Sequence, residues 1–130
     1  MAWYVDTSAF VKLVVTEEHT SAMRRWAEAH DGDLFSSDLL RTEALRAARR
    51  HSPAALLEAR QRLDTLVILR LTSDICERAA ELDPEVLRSL DALHLAAALT
   101  VTELDGIVTY DRRLAAACGA HGVAVSNPTD

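Results

Sequence analysis

Ala2-Trp3-Tyr4-Val5-Asp6-Thr7-Ser8-Ala9-Phe10 opens the chain with four apolar, β-favouring residues, an acid, two hydroxyl residues and the start of an apolar run. It reads as a strand over Ala2–Val5 ending on Asp6. A short helix capped by Thr7-Ser8 then carries Ala9, Phe10, Leu13 and Val14. A strand leading straight into a helix is the opening of a parallel-sheet unit, and the rest of the chain continues the alternation.

Thr16 to His19 open a second helix to about His30, with Ala22, Met23, Trp26 and Ala27 on one face and Gly32 as its breaker. Leu34–Ser36 is a brief strand. Ser37-Asp38 cap a helix from Leu39 to about His51, and Pro53 suits the first turn of the next, to about Leu63. Leu66–Leu69 is a third strand, its unbroken apolar run that of a sheet covered on both faces. Thr72-Ser73-Asp74, with Glu77 behind them, start a helix through Leu82, before Pro84. The most apolar helix runs from about Leu87 to Thr102 and is expected to be central and buried. Gly106–Thr109 is a fourth strand, Arg112 to about His121 a helix stopped by Gly119 and Gly122, and Val123–Val125 a short last strand. The alternation predicts an α/β fold, a single domain over residues 1–130. Its form is a three-layer α/β/α sandwich around a mainly parallel sheet of four to five strands.

A length of 130 residues suits one such domain. With 49% apolar and 26% charged residues the chain is neither a disordered polymer nor a disulfide-stapled miniprotein. No apolar run approaches the roughly 20 residues that span a bilayer. The N-terminus lacks the basic start and apolar run of a signal peptide, so a cytoplasmic location and no membrane partner are expected. Cys76 and Cys118 form no CxxC pair and fall among Ala and Leu in helical patterns, as buried small apolar residues do. Twenty acids against fourteen bases give a net charge of −6, which alone argues against a polyanion partner. Thirteen of those bases are Arg, suited to bidentate phosphate contacts but equally a mark of Arg-rich codon usage; Lys12 is the single lysine.

In open parallel sheets ligands bind beyond the carboxyl ends of the strands. Asp6 follows the first strand there and Asp111 the fourth, although each taken singly reads first as a helix cap. Asp91 lies in Ser89-Leu90-Asp91-Ala92-Leu93-His94-Leu95, at the start of the buried helix. An ionised carboxylate there costs several kcal/mol unless it is paired, with Arg88 or the helix dipole, or bound to metal. Glu43 sits at the edge of the apolar face set by Leu39, Leu40, Ala44 and Ala47, a place that a solvated Glu also takes. Carboxylates resist being gathered unless a hard cation offsets their repulsion. Mg²⁺ binds one or two of them and keeps several waters. The residues alone thus point to a candidate metal-dependent site for phosphoryl transfer or hydrolysis.

Four segments carry a resemblance: Tyr4-Val5-Asp6-Thr7-Ser8-Ala9, Leu40-Arg41-Thr42-Glu43-Ala44, Leu90-Asp91-Ala92-Leu93-His94-Leu95-Ala96-Ala97-Ala98 and Val108-Thr109-Tyr110-Asp111-Arg112-Arg113-Leu114. In this order and spacing, across essentially the whole chain, they resemble a PIN domain of the type found in VapC-type toxin ribonucleases of toxin–antitoxin pairs. The resemblance implies catalytic acids at Asp6, Glu43, Asp91 and Asp111 around Mg²⁺ or Mn²⁺. Asp6 would be the main direct ligand, Asp91 a ligand directly or through water, and Glu43 and Asp111 mostly water-mediated. Ser8 and Thr109 would support the pocket. The implied reaction cuts single-stranded RNA by metal-activated water, leaving a 5′-phosphate and a 3′-hydroxyl. The implied partners are a second copy, in a homodimer, and an antitoxin. The antitoxin's C-terminal segment would lie near the early helices, where Phe10, Leu13 and Val14 belong to a dense apolar run.

Other residues carry less. His94 reads as a packed core histidine, with a supporting role beside Asp91 as the alternative, and the remaining histidines fall at helix ends. Arg46 and Arg112 are the bases singled out for RNA; Arg41, Arg49, Arg50 and Arg113 read as a solvated face. A receiver-like signalling domain would need an acceptor Asp after the middle strand and a Lys near the end of a late strand; Leu69-Arg70-Leu71 supplies no such Asp, and the only Lys is Lys12. A PIN-like module that binds RNA or protein without turnover is the other alternative, and the presence of all four acids argues against it.

Overall fold

The computed structural model of the protein describes residues 1–130. Its elements are β1 (Ala2–Val5), α1 (Thr7–Val14), α2 (Thr20–Ala29), β2 (Leu34–Ser37), α3 (Asp38–His51), α4 (Pro53–Leu63), β3 (Val67–Leu69), α5 (Ser73–Glu81), α6 (Ser89–Leu99), β4 (Leu104–Val108), α7 (Arg112–Ala120) and β5 (Val125–Ser126). All five strands join one sheet in the order β3-β2-β1-β4-β5, and every neighbouring pair is parallel. The expected α/β/α sandwich is what forms.

Successive strand residues point to opposite faces, and each face buries its own core. Tyr4 and Ile107 turn to the side covered by α5, α6 and α7. Val5 and Val108 turn to the side covered by α1, α2, α3 and α4. Alanines set the packing distance: Ala44 and Ala48 of α3 share a core with Ala55 and Ala59 of α4, and α6 presents Ala92, Ala96, Ala97 and Ala98. Gly106 is required by close approach. A Cβ there would stand 2.6 Å from the ring of Trp3 and would also strike the carbonyl of Ala124.

Several expectations need correction. β3 is an edge strand whose run meets both cores as expected, Ile68 on the α1–α4 side and Leu69 on the α5–α7 side, but only partly, and Val67 at its start is 65% exposed. Leu87 falls outside α6, which begins at Ser89, and the last strand is Val125–Ser126. Cys118 is buried as expected, whereas Cys76 lies on the outer face of α5 and is exposed. Asp6, not Thr7 or Ser8, caps α1 by accepting from the amide of Ala9. Phe10, Leu13 and Val14 are at most 6% exposed, so the dense apolar run of α1 is chiefly core. Phe10 and Leu13 nevertheless form the floor of a cleft of about 420 Å³ between α1, α2 and the end of α4, and Val14 takes no part in it.

Candidate active site

The strand order reverses its winding between β1 and β4, the place where open parallel sheets bind ligands. Asp6 leaves the end of β1, and Thr109, Tyr110 and Asp111 follow the end of β4. Glu43 reaches the same point from α3 and Asp91 from the first turn of α6. The four acids line one cleft of about 510 Å³, with His94, Thr7 and Ser8, and with Arg88, Arg112 and Arg113 on its rim. The four acids expected to meet do so.

Asp6 is 3% exposed. Its Oδ1 accepts from the Ala9 amide at 2.9 Å and from Ser8 Oγ at 2.8 Å; its Oδ2 accepts from Ser8 Oγ at 2.9 Å and from Thr109 Oγ1 at 2.5 Å. Both hydroxyls are oriented from behind. The amide of Tyr110 donates to Ser8 Oγ, and that of Asp111 donates to Thr109 Oγ1, which leaves each hydroxyl proton for Asp6. Burial still prevails over these bonds and pushes the Asp6 carboxyl above its ordinary value.

Glu43 is held in the opposite sense. Its burial alone would raise its pKa, but His94 Nε2 at 2.8 Å and Thr7 Oγ1 at 2.6 Å both bond Oε1 and draw the carboxyl below its usual range. An ionised Glu43 only accepts, so Nε2 of His94 carries a proton. On its other side, His94 Nδ1 meets the Tyr4 hydroxyl at 2.7 Å, and Tyr4 in turn meets Ser37 Oγ at 2.8 Å. Ser37 therefore gives α3 no side-chain cap. The buried line Ser37, Tyr4, His94, Glu43 links β2, β1, α6 and α3.

The Asp91 carboxylate meets no protein donor. Desolvation first, and then the charge of Asp111, raise its pKa, and His94, Arg88 and Arg113 offset this in part. Asp111 caps α7 through Oδ1, which accepts from Arg113 and Leu114 amides at 2.8 and 3.3 Å. Its second oxygen carries no such bond.

Sequence reading missed most of the second set of contacts. Thr7 is not the cap that its place at the start of α1 suggests: with Asp6 capping, its hydroxyl is released to Glu43. His94 is buried, as a core histidine is, and also belongs to the site. Arg88 and Arg113 line the cleft beside Arg112, while Arg46 stands outside it on α3.

No three acids or histidines stand close enough to share an ion directly. The donors are nevertheless all oxygen, which suits Mg²⁺ or Mn²⁺ held by one or two carboxylates with the rest through water. Asp91 and the free oxygen of Asp111 are open. Ser8 divides a single proton between both oxygens of Asp6, so settling it on one leaves the other with a single hydrogen bond, from the Ala9 amide or from Thr109, and a lone pair to spare. The residues fit such an ion.

The family model for the PIN domain matches residues 3–120. Ribonuclease VapC47 of Mycobacterium tuberculosis is 42% identical over 130 residues, covering 96% of this chain and 96% of its own. Ribonuclease VapC46 of the same organism is 37% identical over 129 residues, covering 98% of each chain. A toxin–antitoxin complex from Klebsiella pneumoniae shares the fold with a TM-score of 0.77 at 24% identity, covering 100% of this chain and 99% of that one. Mycobacterium tuberculosis VapC20, a sarcin–ricin loop cleaving toxin, does so with a TM-score of 0.78 at 19% identity, covering 98% and 100%.

Proposed function

We propose that this chain, which belongs to the PIN domain family, is an endoribonuclease that cuts single-stranded stretches of RNA with the help of Mg²⁺ or Mn²⁺. It would act in the cytoplasm as the toxin of a toxin–antitoxin pair. The observation that carries the reading is the meeting of four carboxylates from four elements at the switch point of the sheet, with arginines on the rim. Kinship along the full length with ribonucleases supports it.

Asp6, Asp91 and Asp111 would hold the ion, which when bound would supply an activated water and offset charge on the phosphoryl oxygens. The chain's own groups do the rest. Ser8, Thr109 and the Ala9 amide fix the plane of the Asp6 carboxylate. His94 and Thr7 hold Glu43 ionised and leave its second oxygen to accept a hydrogen bond from a water. Arg88, Arg112 and Arg113 take phosphates beside the one that is cut, so that a net acidic chain still binds RNA. The products are a 5′-phosphate and a 3′-hydroxyl.

The antitoxin partner would lay its C-terminal segment over the cleft floored by Phe10 and Leu13, whose walls mix apolar residues with Arg24, Glu28, Asp31 and Arg62. A homodimer is the oligomer in view. The test is cleavage of a mixed RNA pool by the purified protein with EDTA, Mg²⁺ or Mn²⁺, alongside Asp6→Asn. Cleavage confined to the metal-loaded wild type is the expected result. Equal turnover by a folded Asp6→Asn protein would sink the reading, and RNA bound but never cut would leave a binding module.

A further inference from the structure

The rim of the acidic cleft is not the only place where arginines gather. Arg46, Arg49 and Arg50 alone line a separate cleft of about 360 Å³ on α3. All three are exposed, and none pairs with a carboxylate, whereas Arg41 on the same helix pairs with Asp38 and Arg62 on the next with Glu58. In a chain with six more acids than bases, partners for such residues are plentiful. Three uncompensated guanidinium groups facing one hollow repel one another and gain from an anion. The negative end of the α3 dipole favours bases in its last turn, which accounts for Arg49, Arg50 and His51. It does not account for Arg46, which lies before that turn.

The hollow is aligned with the site. Glu43, Arg46 and Arg50 stand at i, i+3 and i+7 of α3 and share a face, with Arg49 three residues beyond Arg46. At ~1.5 Å per residue, that face runs about 10 Å from Glu43, in the acidic cleft, to Arg50. The guanidinium fork matches phosphate oxygens in pairs.

We propose that Arg46, Arg49 and Arg50 form a second phosphate-binding subsite, which holds the backbone of an RNA strand beyond the acidic cleft. The subsite presupposes the RNA substrate proposed above and would give the protein a grip that grows with strand length. Its signature is a length-dependent affinity, measurable by fluorescence anisotropy on random-sequence RNA of about 6 and about 20 nucleotides with Ca²⁺ in place of Mg²⁺, in samples whose RNA gels show to be intact. The variants are Arg46→Gln/Arg49→Gln/Arg50→Gln and the corresponding triple change to Lys; Gln and Lys match Arg in helix propensity, so α3 is retained. The wild type is expected to bind the longer RNA about tenfold more tightly. The Gln variant should lose that advantage, its plot of log affinity against log salt shallower by about two, while the Lys variant keeps both. Equal affinity of the wild type for the two lengths, or an undiminished advantage in the folded Gln variant, overturns the subsite. Gels of parallel samples with Mg²⁺ or Mn²⁺ separate the two readings: RNA that is bound with this length dependence and left uncut by both metals supports the subsite and overturns the nuclease alone.

Discussion

Thr109 Oγ1 lies 2.5 Å from Asp6 Oδ2 and accepts the amide of Asp111 at 3.0 Å, so one hydroxyl joins two of the four acids. Ser8 repeats the arrangement between Asp6 and the amide of Tyr110. Two strand ends, far apart in the chain, are thereby clasped at a carboxylate that burial would otherwise neutralise.

Thr109→Val keeps the shape and removes the clasp. Asp6 loses the strongest of the hydrogen bonds that restrain its raised pKa, and the Asp111 amide loses its acceptor. The expected cost is about 2–4 kcal/mol of stability. The acid limb of the cleavage profile moves to higher pH, because Asp6 must then be ionised against a larger penalty. Thr109→Ser restores both. Urea unfolding and a pH–rate profile read the outcome, and an unmoved acid limb would show that Asp6 does not govern it.

His94 is the contact between Tyr4 and Glu43. His94→Leu removes a partner from each, and an expected loss of about 1–3 kcal/mol follows. In a double-mutant cycle with Glu43→Gln, the coupling should be about 1–2 kcal/mol. Thermal melts of the four proteins measure it. Strict additivity would mean that the 2.8 Å bond adds no stability.

Asp91 titrates higher in the fold than in the unfolded chain. Between those two pKa values the folded state binds more protons, so stability falls as pH rises, and the deficit persists to neutral pH. Asp91→Asn removes that slope. In EDTA at neutral pH the variant is expected to melt about 2–5 °C above the wild type. Added Mg²⁺ should raise the wild type and move the variant less. Calorimetry under both conditions decides it, and a variant that melts lower in EDTA contradicts the electrostatic account.

The two thiols should separate cleanly. Cys118 is fully buried and, chiefly through that burial, its thiol is pushed up to about 12; Cys76 is exposed. Iodoacetamide on the native protein should add one group, and a second only in denaturant. Intact mass and peptide mapping give the count and the site. Ready labelling of native Cys118 would reveal opening of the α7 side of the core.

The strand–helix alternation and the four acids were legible because each acid sits where chemistry and backbone coincide. Asp6 and Asp111 have two rival readings, cap and site; both do cap helices and both line the cleft, where Asp111 caps with one oxygen and keeps the other free. What escaped depended on what packs beside each segment. An unbroken apolar run such as Leu66–Leu69 does not encode whether a strand lies next to it. Cys76 and Cys118 share a local pattern and differ in which helix face meets the sheet. His94 follows Asp91 by three residues, which suggests a neighbouring face of α6. That it bridges Tyr4 and Glu43 follows from how α6 lies against β1 and α3.

β1 is the first strand to be made, yet its partner at the cleft is β4, and Asp6 and Thr109 are 103 residues apart. A growing chain still on the ribosome carries Asp6 long before it has the hydroxyl that steadies it or Asp111 that completes the set. The cleft therefore forms only once the segment through Asp111 is in place. Chain order acts as an interlock: the four acids cannot meet until the segment that ends on Asp111 has left the machine, itself made of RNA, that is producing it.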